Sequence, residues 1–315
     1  MKRIFELGYN EILSIKKPEL LEIIKNSEGR TVMAEAVIAV PPLIYGVSDL
    51  ELAAAFGADM VTMNMFDFNA PFIFGVDDKD LDLTVGPGAL DEIKRRMEKN
   101  REDADYIKGV KKMVGRFLGV NLEPVPDGVK YPEGRQLNEA NLKKARAQGF
   151  DYIVITGNPK TGVTAGTVLE GIETAARILG DTTVIIAGKM HGAGGENIYK
   201  PDILKDFVKA GADAVLIPAP GTVPGIDLEL AKRQIDVIHE AGALALTAIG
   251  TSQEGAGERV IEQLALMSKM AGADIQHIGD AGYAGIAFPE NIMALSIAVR
   301  GKRHTYRRMA YSMRK

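Results

Sequence analysis

Short apolar runs bounded by glycine recur along this chain, and stretches of helical spacing separate them. Thr31-Val32-Met33-Ala34-Glu35-Ala36-Val37 lies between Gly29 and Pro41-Pro42 and reads as a first strand. Ser48 is placed to cap a helix running to about Phe56, and Gly57-Ala58-Asp59 then leads into Met60-Val61-Thr62-Met63-Asn64. The same hand-off from helix through glycine to strand precedes the runs at 152–156, 214–218, 244–247 and 275–279. In each, the glycine suits a left-handed residue just past a helix end. With the runs at 117–121 and 184–187 the count reaches eight. Near-continuous apolar strands alternating with helices predict a parallel sheet buried on both faces. Eight such units predict a closed (β/α)8 TIM barrel of the α/β class, and an open doubly wound sheet is the second fold the pattern allows.

The barrel is expected to occupy the whole of residues 1–315 as one domain. Helices are predicted over residues 8–26, with Pro18 opening a second one in its first turn, so residues 1–30 form an N-terminal helical lead. The second strand is followed by an extended helical insertion, residues 65–115. Its first part carries Phe66, Phe68, Phe72 and Phe74 and is expected to be a lid; its second part is charged and helix-like. A further long loop, residues 123–137, carries Pro124, Pro126 and Pro132. Both loops follow strands, which places them on the C-terminal face where barrel enzymes build their sites. Residues 300–315 form a basic tail, read as a solvated or subunit-facing helix end.

Composition narrows the function. Of 315 residues, 46% are hydrophobic and 25% charged, as in globular proteins with a sizeable core. The formal net charge of −4 offers no general attraction for nucleic acid or an anionic membrane. With no cysteine, disulfides, thiolate metal sites and cysteine nucleophiles are excluded. No apolar run reaches the length of a membrane span, and charge at Lys2 and Arg3 is followed at once by Glu6, unlike a signal peptide. A cytoplasmic protein is expected, without nucleic-acid or membrane partners. Apolar outer faces of barrel helices often pair subunits, so a homo-oligomer is expected as well.

In a barrel the strand ends share one mouth. Here they bring Glu35, Asn64, Asp67, Asn121, Glu123, Thr156, Asn158, Lys189, His191, Thr247 and Asp280 toward it. Two carboxylates, a lysine and a histidine in such a place are groups whose pKa values are shifted toward catalytic work. Lys189, in Ile185-Ile186-Ala187-Gly188-Lys189-Met190-His191, is the candidate imine-forming or proton-transferring amine, or else a cation paired with Glu35 or Glu123. Glu35 and Glu123 are its candidate acid/base partners, and His191 would orient a carbonyl. Asn64, Asn121, Thr156, Asn158 and Thr247 are candidate substrate-binding residues. No fixed-spacing metal motif is present and no cofactor is expected, although Glu35, Glu123 and His191 could together ligate a divalent metal. His239, His277 and His304 read as structural.

The glycine-rich turns after the seventh and eighth strands offer an anion cradle through Gly250, Thr251, Ser252, Gly279, Asp280 and Gly282. Glu254 and Asp280 are acidic departures that would repel a phosphate they faced. Asp80-Leu81-Asp82-Leu83-Thr84 matches the nucleophile motif of haloacid dehalogenase-type phosphatases. It lacks the preceding buried strand, because Val76-Asp77-Asp78-Lys79 is charged and loop-like.

These turns resemble those of the phosphate-binding (β/α)8 superfamily of synthases, sugar-phosphate epimerases and aldolases. The chain is also similar to an uncharacterised bacterial TIM-barrel family sometimes labelled haloacid dehalogenase-like hydrolase. The resemblances imply a barrel over roughly residues 30–300. The expectation is a lyase or isomerase acting on a small anionic metabolite, phosphorylated or carboxylated and sugar-derived. The alternatives are a non-catalytic metabolite-binding or regulatory barrel and a metal-dependent hydrolase or isomerase.

Overall fold

A computed structural model describes residues 2–81, 87–158, 160–189, 200–280, 282 and 284–311. The eight strands are β1 (Thr31–Val37), β2 (Met60–Asn64), β3 (Phe117–Leu122), β4 (Tyr152–Ile155), β5 (Val184–Gly188), β6 (Ala214–Pro218), β7 (Leu244–Ile249) and β8 (Ile275–Ile278). They close into a parallel barrel in sequence order, β8 pairing with β1. The expected α/β barrel is therefore the fold.

Side chains alternate along each strand, and the two sets enter separate cores. Met33, Met60, Phe117, Tyr152, Ile186, Leu216, Leu246 and Ile275 fill the barrel interior. Val32, Val61, Leu118, Ile153, Ile185, Val215, Ala245 and Ile278 pack outward against the helices. Strands apolar on both faces thus show no polar alternation in the sequence.

Before the barrel lie α1 (Tyr9–Ser14) and α2 (Lys17–Asn26), the latter with a proline in its first turn. They close the N-terminal end of the barrel. Ile4, Phe5, Ile12, Leu20 and Ile24 are buried in the same cluster as the interior strand residues. Around the barrel run α3 (Asp49–Ala55), α5 (Tyr106–Val114), α6 (Glu139–Gln148), α7 (Ala165–Leu179), α8 (Pro201–Ala210), α9 (Leu228–Glu240), α10 (Glu258–Ala271) and α11 (Pro289–Tyr311). Ser48 caps α3 in a reciprocal capping box with Glu51. The charged part of the insertion forms two helices, α4 (Pro87–Glu102) and α5, instead of one run.

Two expectations change here. The aromatic segment after β2, expected to be a lid, is anchored in the wall at Phe66 and Phe68. Phe66 and Phe68 are fully buried in the outer layer, stacked edge-on with each other and with Phe150. The basic tail is likewise partly internal. Arg300 and Arg308 are buried ion-pair partners of Asp59, at 2.6 and 3.0 Å. The motif at Asp80 begins in a loop, its carboxylate paired with Arg96 and well exposed, while residues 82–84 lie outside the described residues.

Candidate active site

Strand register places Glu35 on the inner face of β1, two residues beyond Met33 in the interior core. It lies at 2% exposure and is held from two sides. His277 Nε2 lies 2.9 Å from one carboxylate oxygen and Asn121 Nδ2 donates to the other at 2.7 Å. Both partners also point inward, His277 from β8 and Asn121 from β3. Tyr152 of β4 reaches over Gly119 of β3 to meet the Thr62 hydroxyl at 2.9 Å, close by Glu35.

Asp280 approaches Glu35 from just past β8. It accepts a hydrogen bond from Asn64 and shares another with Glu35. Desolvation, followed by the negative charge of Glu35, pushes its carboxyl well above the usual carboxylate range. Asp280 thus resists ionisation. Glu254 completes this side. It sits in a short 3-10 turn, residues 253–255, at 1% exposure, with neither carboxylate oxygen hydrogen-bonded among the described residues. Burial raises its carboxyl too. A cluster of acids this close holds fewer charges than carboxyl groups.

A second group forms beside the first, at the ends of β3 and β4. Glu123 accepts from the Tyr131 hydroxyl at 2.6 Å and from the Asn158 backbone at 3.0 Å, and also from the Asn158 side chain. Burial, then the bond to Glu123, raises the Tyr131 phenol, so it remains a donor. Thr156 continues the inward register of Tyr152 and Val154 and is buried. Lys189 leaves β5, four strands from β1 in either direction around the closed barrel. It is buried at 4% exposure, and its amine donates to the Val163 carbonyl at 3.3 Å.

The structure thus brings Glu35, Asn64, Asn121 and Asp280 into contact, and separately Glu123 with Asn158. Thr247 does not join them. Its neighbours Leu246 and Ala248 face the interior, so its own hydroxyl faces outward and meets Gln276. His191 lies outside the described residues. The expected anion cradle after β7 is occupied otherwise. The Thr251 hydroxyl donates to the Thr222 carbonyl at 2.6 Å, the Gly279 amide bonds the Ile249 carbonyl, and Ser252 leads into the turn that buries Glu254. Gly282 is needed for packing, since a Cβ there would lie 2.0 Å from the Ile286 oxygen.

Three contributors escaped the sequence: His277, Glu254 and Tyr131. His277 had one signal, a polar residue at an inward position of its strand. Among the described residues no three His, Asp or Glu side chains converge as metal ligands, and no helix is long and apolar enough to cross a membrane.

Residues 5–315 match a family model described as Domain of unknown function (DUF7916). The chain belongs to this family. No curated protein matches it significantly. Solved structures share the barrel. Oxaloacetate acetylhydrolase is 16% identical, with 86% of this chain and 81% of that one covered at a TM-score of 0.50. The carboxyl transferase domain of Rhizobium etli pyruvate carboxylase, solved with pyruvate, is 13% identical over 95% of this chain and 51% of that one, at 0.51. 2,3-Dimethylmalate lyase, a PEP mutase/isocitrate lyase superfamily member, is 16% identical over 84% and 81%, at 0.48. The neighbours are TIM-barrel enzymes, lyases among them, and at these identities the likeness is one of fold. The phosphate-binding and haloacid dehalogenase-like resemblances find no support in these comparisons.

Proposed function

We propose that the barrel is an enzyme that moves a proton beside a carbonyl group, as a lyase or isomerase, on a small carboxylated metabolite. The observation that carries this is the buried Glu35 carboxyl, oriented by His277 and Asn121, beside the half-buried Asp280 held by Asn64. Such a pair offers a base and an acid a few ångströms apart, each matched to the other. Glu35, oriented by His277 and Asn121, removes the proton. Asp280 returns one to the developing enolate oxygen or to the neighbouring carbon. Lys189 shares the outward parity of Ile185 and Ala187 and bonds the Val163 carbonyl, so no role at the substrate is assigned to it. A phosphate is the poorer fit, because the loop assigned to it from the sequence turns the Glu254 carboxyl inward.

Hydrogen exchange in heavy water tests the reading without knowledge of the full reaction. A panel of small 2-oxo acids and ketoses is followed by proton NMR with the wild-type protein and with Glu35→Gln. Deuterium is expected at a carbon next to the carbonyl of at least one compound, slowed about 10²-fold or more in Glu35→Gln. No exchange with any compound, or equal exchange by the variant, ends the proposal.

A further inference from the structure

The opposite end of the barrel carries a site of contrary charge. A cavity of about 640 Å³ opens between the N-terminal helices and the N-terminal ends of β4 and β5. Lys16, Lys17, Lys108, Lys111, Lys112 and Arg146 line it, against Asp151 and Asp181. Six cations facing two carboxylates make a net +4 on a chain whose formal charge is −4. Three of the cations are already matched: Lys111 pairs with Asp151 at 2.6 Å, Lys17 with Asp213 at 2.7 Å and Lys108 with Asp105 at 2.7 Å. The surplus rests on the others.

Cations in the last turn of a helix complement its dipole, which accounts for Lys112 on α5 and Arg146 on α6 as ordinary solvated side chains. The dipole does not account for Lys16. It is the N-cap of α2, the end at which a cation is disfavoured. Nor does the dipole explain why cations from three separate helices converge on one concave space. Leu13, Ile15 and Phe150 give that space an apolar wall. The volume falls within the range of about 300–1,000 Å³ usual for small-molecule sites.

We propose that this cavity binds an organic phosphate, a small molecule with two or more negative charges and an apolar portion, at a site separate from the catalytic mouth. Phosphate oxygens would lie among Lys16, Lys112 and Arg146, and the organic part against Leu13 and Ile15. The site stands independently of the chemistry assigned to Glu35 and Asp280, since the whole barrel lies between them.

Titration calorimetry of the full chain with ATP and with inorganic pyrophosphate tests it, beside the variants Lys16→Glu/Lys112→Glu and Glu35→Gln. Lys16 and Lys112 are exposed, so the double variant is expected to fold, and its circular dichroism and Tm check this. Both probes are expected to bind the wild type, ATP the more tightly, with affinity falling as salt rises. The double variant is expected to lose roughly tenfold or more, and Glu35→Gln to bind as the wild type does. Absence of binding, or binding undiminished in the double variant, overturns the site. Pyrophosphate binding as tightly as ATP overturns the organic portion and leaves an adventitious ion only. Tighter binding of a single-stranded oligonucleotide than of ATP replaces the small molecule with a polymer. Loss of binding in Glu35→Gln would merge this site with the mouth and also overturn the proposal.

Discussion

Glu35 is buried and depends on His277 and Asn121 for its hydrogen bonds, while Asp280 depends on Glu35 and Asn64. Asp280→Asn replaces the acid beside Glu35 with an amide that can donate to it. The folded structure should therefore persist, with Tm near that of the wild type, while exchange activity falls about 10²-fold or more. The activity of the wild type should fall as pH rises through the raised Asp280 carboxyl, because the returning proton then loses its donor. Asp49 gives a cleaner linkage test away from the mouth. Desolvation raises its carboxyl to about 6, despite a bond from the Leu43 amide. The folded state then holds a proton that the unfolded chain has released, so stability falls as pH rises from about 4 to about 6 and levels off above. The loss is on the order of 2–3 kcal/mol, and Asp49→Asn should flatten that stretch of a denaturation-versus-pH series. At this scale, the strand-end rule named Glu35, Asn64, Asn121 and Asp280, which meet in the fold. It missed His277, which sits inside its strand, and Glu254, which a turn folds inward.

The elements show where close packing constrains the chain. Gly119, inside β3, faces the ring of Tyr152, and a Cβ there would lie 2.0 Å from it. Gly119→Ala must displace a ring that is fully buried and bonded to Thr62, at a cost of about 3 kcal/mol or more, measurable as a shift in urea midpoint. The cap of α3 is a milder case: Ser48→Ala removes one partner of the capping box and should cost about 1 kcal/mol. The helix and strand boundaries were readable because caps, glycine hand-offs and apolar runs are local. Burial of Phe66 and Phe68 was not. A phenylalanine-rich loop has the same composition as a lid or as part of the wall, and only contact with Phe150 distinguishes them.

Across the whole molecule, Asp59 ties the C-terminal helix to the start of β2. Its carboxylate holds Arg300 and Arg308, all three with side chains fully shielded from solvent. Asp59→Ala leaves two buried guanidinium groups without their counter-charge and is expected to cost about 3–5 kcal/mol. Limited proteolysis should then cut near Gly301, where the backbone of α11 departs from helical geometry. An unchanged cleavage pattern would show that the ion pairs contribute little to docking the helix.

The sequence by itself determined the eight-unit barrel, because burial on both faces and the helix stops are properties of neighbouring residues. It also determined which polar residues stand at the strand ends. Only the tertiary structure decided which of them meet. Closing the barrel sets His277 of β8 against Glu35 of β1, 242 positions apart, and turns Thr247 outward through a single step of strand parity. The same closure gathers the lysines of separate helices at one end and the clustered acids at the other. Charge and spacing along a chain carry no record of that sorting, since the distances that govern electrostatics exist only after folding.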